Sequence, residues 1–433
     1  MFGLKESDVS VLVREVAGER LTRDEIMDRF ARATWTGLAE PGDRWAGLFV
    51  QAIGAAASLE GVLAGWPTDR WVAALIQAGV EDVANDVIEG EIALALKRWK
   101  PRIVAPNAVL ALRQAARYGA RLLTPESEGW PLGVSDLGLH SPIALWVRGT
   151  EGALAALPAS IALVGARAAT GYGDHVAMEA AAGLVDRGFA IVSGAAYGID
   201  GAAHRAALAS HGITVAFLAG GVDRFYPSGH DTLLSQIVEK GAVMSELPCG
   251  QPPTKWRFLQ RNRLIAAASQ ATVVLEAGWR SGALNTANHA ADLGRPVGAV
   301  PGPVTSAASA GCHRFIRESK AVLVTNAEEM AALVAGARLT EDGLGPGAGA
   351  GAGMGDGSGV GSAAAAAVDQ PRSPEFVRLF DALSVTAART STDIAARAGM
   401  SVAEVQSLLG RLELDGLVVE CDRGWIKKRA ATG

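Results

Sequence analysis

The stretch IALVGARAATGYGDHVAMEAAAGLVDRGFAIVSGAAYGID, residues 161–200, carries the reading of the fold. It opens with a short apolar run, passes through a glycine-bearing turn into a helix-length segment, and closes on a second apolar run and a second glycine turn. Short apolar runs bounded by turn residues read as buried strands, and the longer segments between them as amphipathic helices. The rhythm continues to about residue 337. Further strands are expected in TVAFLAGG from 214, AVMSE from 242, TVVLEA from 272, VGAVPG from 297 and AVLVT from 321, with helices in HDTLLSQIVEKG and SGALNTANHAADLGR. Strands of this kind alternating with helices imply a mostly parallel sheet covered on both faces, so residues 159–337 are expected to form a doubly wound α/β domain.

Outward from this block, residues 1–100 read as a helical domain. Apolar positions recur at helical spacing in VSVLVREV, DEIMDRFARATW and DRWVAALIQAGVEDVANDVIEGEIALALKRW. Residues 101–158 read as a connecting segment ending in the strand-like SPIALWVRG. Residues 338–373 are so rich in glycine and alanine that a flexible tether is expected. Residues 374–428 run helix, helix-turn-helix, hairpin, the order of a winged helix. Ser391 or Thr392 and then Ser401 are the expected caps of its second and third helices, with a turn at Gly399.

With 433 residues, two or three domains are expected. The chain holds 40 basic and 45 acidic residues, a mildly acidic balance that points to no global nucleic-acid or membrane partner. Its three cysteines, Cys249, Cys312 and Cys421, are far apart and stand in no metal-ligand spacing. The start, MFGLKESDVSVLVREV, lacks the features of a signal peptide, and no segment reaches the ~18–20 apolar residues of a membrane helix. A cytoplasmic protein with reduced cysteines and no membrane insertion is expected.

Catalytic signatures are scarce. GARAATGYG is not G-x-G-x-x-G, the second strand ends in no acid to hold a ribose, and neither a Walker loop nor a nucleophile elbow occurs, so no catalytic residue, cofactor or metal is assigned. What accumulates is a set of strand-end turns, at Gly165–Gly173, Ser193–Gly198, Gly220–Gly221, Gly278–Gly282 and Pro301–Ser309. All are expected at the carboxyl edge of the sheet, where backbone amides suit phosphate. Gly165, Ser193, Gly194, Gly220, Gly221, Ser281 and Gly282 are the candidates among them, although glycines also serve ordinary tight turns. The charge distribution is more telling. Between Gly250 and Arg317 stand eight Lys and Arg against two acids, centred on TKWRFLQRNRLIAAAS at 254–269, which reads as a charged loop turning into an apolar helix. Lys255, Arg261, Arg263 and Arg280, with Arg167 at the first strand-end turn, are therefore candidate phosphate contacts, the alternative being that some of them pair with acids elsewhere as ordinary salt bridges, and the interleaved aromatics Trp256 and Phe258 offer base-stacking surfaces. Asn262 can bond a base or hold the loop.

Taken with VGARAATGYG, IVSGAAYGIDGAAHRAAL, GITVAFLAGGVDRFYP, GAVMSELPCGQPP, FLQRNRLIAAAS, VVLEAGWRSGALNTANHA and GRPVGAVPG, the central block resembles the DNA-processing protein A (DprA/Smf) family over about 180 residues. The resemblance implies a Rossmann-like domain that binds single-stranded DNA, forms a homodimer through that domain, and helps load the RecA recombinase in natural transformation, without enzymatic activity. It carries DNA contact onto Arg167, Lys255 and Phe258. The chain departs from the family pattern at Ala195, His230 and Gly311–His313. The third helix of the winged helix carries one arginine, Arg411, against Glu404, Glu413 and Asp415, which favours a protein contact over duplex DNA. The rival reading is a nucleotide-processing Rossmann enzyme with Glu276 as its acid. Its P-G-G-x-G-T-x-x-E stretch is missing from VPGPVTSAASAG.

Overall fold

The computed structural model describes residues 3–18, 20–81, 86–341 and 373–428. Its centre is a nine-stranded sheet of β1 (Arg121–Leu123), β2 (Leu145–Gly149), β3 (Ser160–Gly165), β4 (Ala190–Ser193), β5 (Thr214–Phe217), β6 (Ala242–Ser245), β7 (Ala271–Glu276), β8 (Val297–Ala299) and β9 (Val322–Leu323). The order across the sheet is β1-β2-β6-β5-β4-β3-β7-β8-β9. The seven strands from β3 onward pair in parallel, and β1 and β2 add an antiparallel margin. Along β3 the pleat sends Ile161 and Leu163 into one core and Ala162 and Val164 into the core on the opposite face. Burial of each of Ile161, Leu163 and Val164 contributes roughly 1.5–3 kcal/mol. The doubly wound α/β expectation holds.

The chain builds β3 to β6 outward on one side of β3, then crosses back to place β7 on the other. The crossover is the helix Lys255–Ala268. A reversal of this kind splays the loops after β3 and β7 apart and leaves a crevice at their carboxyl ends.

The boundaries expected before residue 159 are corrected by the packing. Residues 101–158 are no mere connector, because β1 and β2 belong to the sheet, and β2 pairs with β6 from Trp146↔Ser245 to Gly149↔Ala242. Nor do residues 1–100 stand wholly apart. The helices Glu6–Ala17, Arg23–Leu38 and Ala105–Arg117 bury Val13, Phe30 and Leu112 against Trp146, Ala216 and Val243 of the sheet. A three-residue strand such as β1 carries too little periodicity to be read from sequence. The remaining N-terminal helices share an aromatic core with the helix Arg23–Leu38, in which Phe49 stacks on Trp71 at 4.3 Å and Trp35 of that helix meets Trp99 edge-on at 5.0 Å.

The winged-helix order is confirmed by helices Pro374–Ala382, Ser391–Ala398 and Val402–Leu414, followed by the antiparallel pair β10 (Val418–Cys421) and β11 (Gly424–Lys427). Thr390, rather than Ser391 or Thr392, caps the second helix by accepting from the Asp393 amide at 3.2 Å. Ser401 caps the third in a reciprocal box with Glu404. Gly399 takes the left-handed conformation between them at φ 63°. The helix Ala327–Glu341 runs past the expected start of the tether, and residues 342–372 lie outside those described. Among the described residues no single helix is long and apolar enough to cross a membrane.

Candidate functional site

TKWRFLQRNRLIAAAS was expected to hold a basic loop ahead of an apolar helix, but the structure makes it one helix from Lys255 to Ala268, opened by the Thr254 side chain on the Arg257 amide at 3.2 Å. The helix starts at the carboxyl edge of the sheet and descends beneath it, which explains the change of composition along it. Its first turns meet solvent, while Leu264–Ala268 are buried in the sheet core.

Helical geometry divides the charges. Positions three, four and seven apart share a face, so Lys255, Phe258, Leu259 and Asn262 turn together into a cleft of about 950 Å³. Arg257 and Arg263 do not enter the cleft and are taken up by acids. Arg263 is buried and donates to both Glu246 oxygens at 2.9 and 2.7 Å; Arg257 donates to Glu40 at 2.9 and 3.2 Å. Burial opposes a charge on Glu40, yet Arg257 and Arg102 together hold its pKa well below the usual carboxylate range. Arg295 pairs with Asp136 at 2.9 Å and donates to the Ala266 carbonyl at 3.0 Å, near the end of the Lys255–Ala268 helix. The local excess of basic residues in the sequence is thus partly neutralised by acids distant in the chain, and a smaller set faces the cleft.

That set converges on one ring. The Arg167 guanidinium lies 4.8 Å from the Phe258 centroid and that of Arg261 5.8 Å from it. Tyr226, half-exposed, adds its ring at 5.6 Å. Arg167 and Lys255 are exposed, as is Arg280 on the opposite wall beside Trp279. Trp279 has the Arg314 guanidinium 4.7 Å from its ring.

Arg261 is anchored differently. It is buried, and its Nη1 donates to the Gly194 carbonyl at 2.6 Å and to that of Phe217. Burial lowers its pKa to about 10, against the pull of Asp200, so it keeps its charge at neutral pH. Asp200 accepts from the Gly194 and Ala196 amides at 3.2 and 3.3 Å, and burial raises its pKa while Arg261 draws it back. A Cβ on Gly194 would stand 2.4 Å from the Arg261 guanidinium, which is why a glycine occupies the turn.

Of the sequence candidates, Gly165, Arg167, Lys255, Phe258, Arg261, Asn262, Arg280, Ser281 and Gly282 line this cleft. Arg263, Ser193, Gly194, Gly220 and Gly221 do not. Ser193 donates to the Leu163 carbonyl at 2.6 Å, tying β4 to β3, and Gly221 donates to the Gln251 carbonyl at 2.9 Å under the segment that precedes the helix. Asn262 holds the far wall, donating to Asn285 at 3.2 Å and to the Gly282 carbonyl at 3.4 Å. Tyr226, Trp279, Asp200 and Asp381 were not picked out in the sequence. Exposed aromatics beside strand-end turns are the signal for the first two; Asp200 and Asp381 carried none.

Glu276, the acid of the rival reading, is buried at the end of β7, and its carboxylate is occupied by Thr170: Oε2 accepts from the amide at 2.9 Å and Oε1 from the hydroxyl at 2.6 Å. It braces the loop carrying Arg167. Among the described residues no three His, Cys, Asp or Glu side chains gather as a metal site requires.

The family described as DNA recombination-mediator protein A matches residues 121–335, and the DprA winged helix domain matches residues 363–422. A DNA processing protein DprA of Mycobacterium tuberculosis is 42% identical over 380 residues, covering 85% of this chain and 92% of that protein. Protein Smf of Escherichia coli is 34% identical over 355 residues, covering 76% and 88%. The X-ray structure of DNA processing protein A from Streptococcus pneumoniae aligns with a TM-score of 0.54 at 27% identity, covering 70% of this chain and 95% of that one.

Proposed function

Because the chain belongs to the DNA recombination-mediator protein A family, we propose that it binds single-stranded DNA in the cleft at the carboxyl edge of its sheet. Phosphates pass Arg167, Lys255 and Arg280, and a base stacks on Phe258 with Tyr226 beside it. The observation that carries this reading is the Phe258 ring flanked by two guanidinium groups at the mouth of a crevice. Such a site takes a base face and a phosphate together, a combination that unpaired strands offer and stacked duplex withholds.

In the same reading the protein works without catalysis in the cytoplasm, protects incoming strands, and passes them to the RecA recombinase in natural transformation and recombination. Membership of a recombination-mediator family supports this role. A homodimer through the sheet domain is supported by the open edge at β9, where Val322 and Leu323 are exposed.

The test is fluorescence anisotropy of labelled oligo-dT and a matched duplex across a salt series. Tight single-strand binding is expected, with log affinity falling against log salt. The Arg167→Ala, Lys255→Ala double variant should flatten that slope by roughly 0.7 for each phosphate that is no longer neutralised. Equal affinity for duplex, or an unchanged double variant, overturns the assignment.

A further inference from the structure

The winged helix closes over this cleft. Asp381, at the end of the helix Pro374–Ala382, forms part of the cleft wall, and its Oδ2 accepts from the backbone amide of Lys255 at 2.6 Å. That amide opens the Lys255–Ala268 helix, where the helix dipole and unpaired donors favour an anion. The docking is reinforced on the neighbouring face. The Arg378 guanidinium lies 5.8 Å from the Trp256 ring. Arg102, from the N-terminal part of the chain, donates to the Ala396 and Arg397 carbonyls at the end of the helix Ser391–Ala398. The Glu40 carboxylate joins the two sides, bonded to Arg102 and Arg257 and within the field of Arg378. A Cβ on Gly399 would stand 2.6 Å from the Glu40 side chain, so only a glycine turn lets the units approach this closely.

We propose that the winged helix is an intramolecular competitor for the single-strand cleft: the Asp381 carboxylate holds the place of a backbone phosphate at the amino end of the Lys255–Ala268 helix, and strand binding displaces it. The proposal rests on the single-strand reading above. A carboxylate and a phosphate oxygen need the same donor and cannot share it. The apparent affinity of the full chain is then its intrinsic affinity reduced by the fraction of molecules in which the winged helix is docked. The acidic third helix, poor in groove-reading residues, fits a unit that guards a DNA site better than one that reads duplex.

The test uses the full chain and fluorescein-labelled oligo-dT. Asp381→Asn keeps the side-chain shape and removes the charge, and should bind about 3- to 10-fold tighter than the unmodified protein. Glu375→Gln, which removes an exposed charge from the same helix, should bind as the unmodified protein does. In hydrogen exchange on the unmodified chain, saturating oligo-dT should speed exchange in residues 374–382. Equal gains from Glu375→Gln and Asp381→Asn would reduce the effect to overall charge and overturn the competition. So would unchanged affinity of Asp381→Asn, or exchange in residues 374–382 that ignores the oligonucleotide. If neither the unmodified protein nor Asp381→Asn binds oligo-dT, the single-strand reading falls with it.

Discussion

Phe258 and Arg261 sit three residues apart at the same cleft, yet in the proposed reading one is a surface for a base while the other is a beam in the wall. Removing the ring in Phe258→Ala takes away stacking without touching a charge. Oligo-dT affinity should fall by ~1–3 kcal/mol while the salt slope stays constant, as read from the same titrations. His204 shows how a burial effect invisible in sequence becomes a pH dependence. It is buried, with Nδ1 on the Thr214 hydroxyl at 2.6 Å and Nε2 unpartnered, and burial, helped by His230 and Arg261, lowers its pKa from 6.5 to about 3. Below about pH 6.5 the unfolded chain takes up a proton that the folded chain refuses until about pH 3. Stability should therefore fall as the pH is lowered across that window, by up to about 1.4 kcal/mol per pH unit from this one group. Urea denaturation at stepped pH should show a shallower fall for His204→Gln.

At the scale of the element, the Lys255–Ala268 helix was legible in its parts and misread in its arrangement. The passage from basic to apolar residues pointed to a charged end and a buried end, and both exist. Which charges face the cleft was not legible, because the acids that engage Arg257 and Arg263 are Glu40 and Glu246, the first more than two hundred residues away in the chain. Arg263→Ala consequently leaves Glu246 buried without its cation. Folding stability should drop by about 3–5 kcal/mol in denaturant titration. The salt slope of oligo-dT binding should stay at the unmodified value, whereas Lys255→Ala should lower it. The winged-helix hairpin and its Ser401 cap were readable because capping and turn chemistry are local. β1 was not, since so short a strand exists only through its pairing with β2.

For the molecule as a whole, the strand order places the crevice between β3 and β7 and leaves β9 as an open edge. If that edge carries the homodimer, Val322→Lys should shift the chain from dimer to monomer in light scattering at equal concentration while its circular dichroism is retained. The alternation of apolar runs, glycine turns and amphipathic segments was enough to specify a doubly wound sheet, because strand and helix periodicities are properties of adjacent residues. The same local information marked the basic stretch and its two aromatics as a candidate site for an anion with bases, and the family resemblance singled out Phe258. The tertiary structure alone determined which arginines are held by distant acids, that Asn262 braces the opposite wall, and that Asp381 comes to rest on the amide of Lys255. Those outcomes depend on pairings between residues far apart in the chain, and such pairings come into being only when the chain has folded.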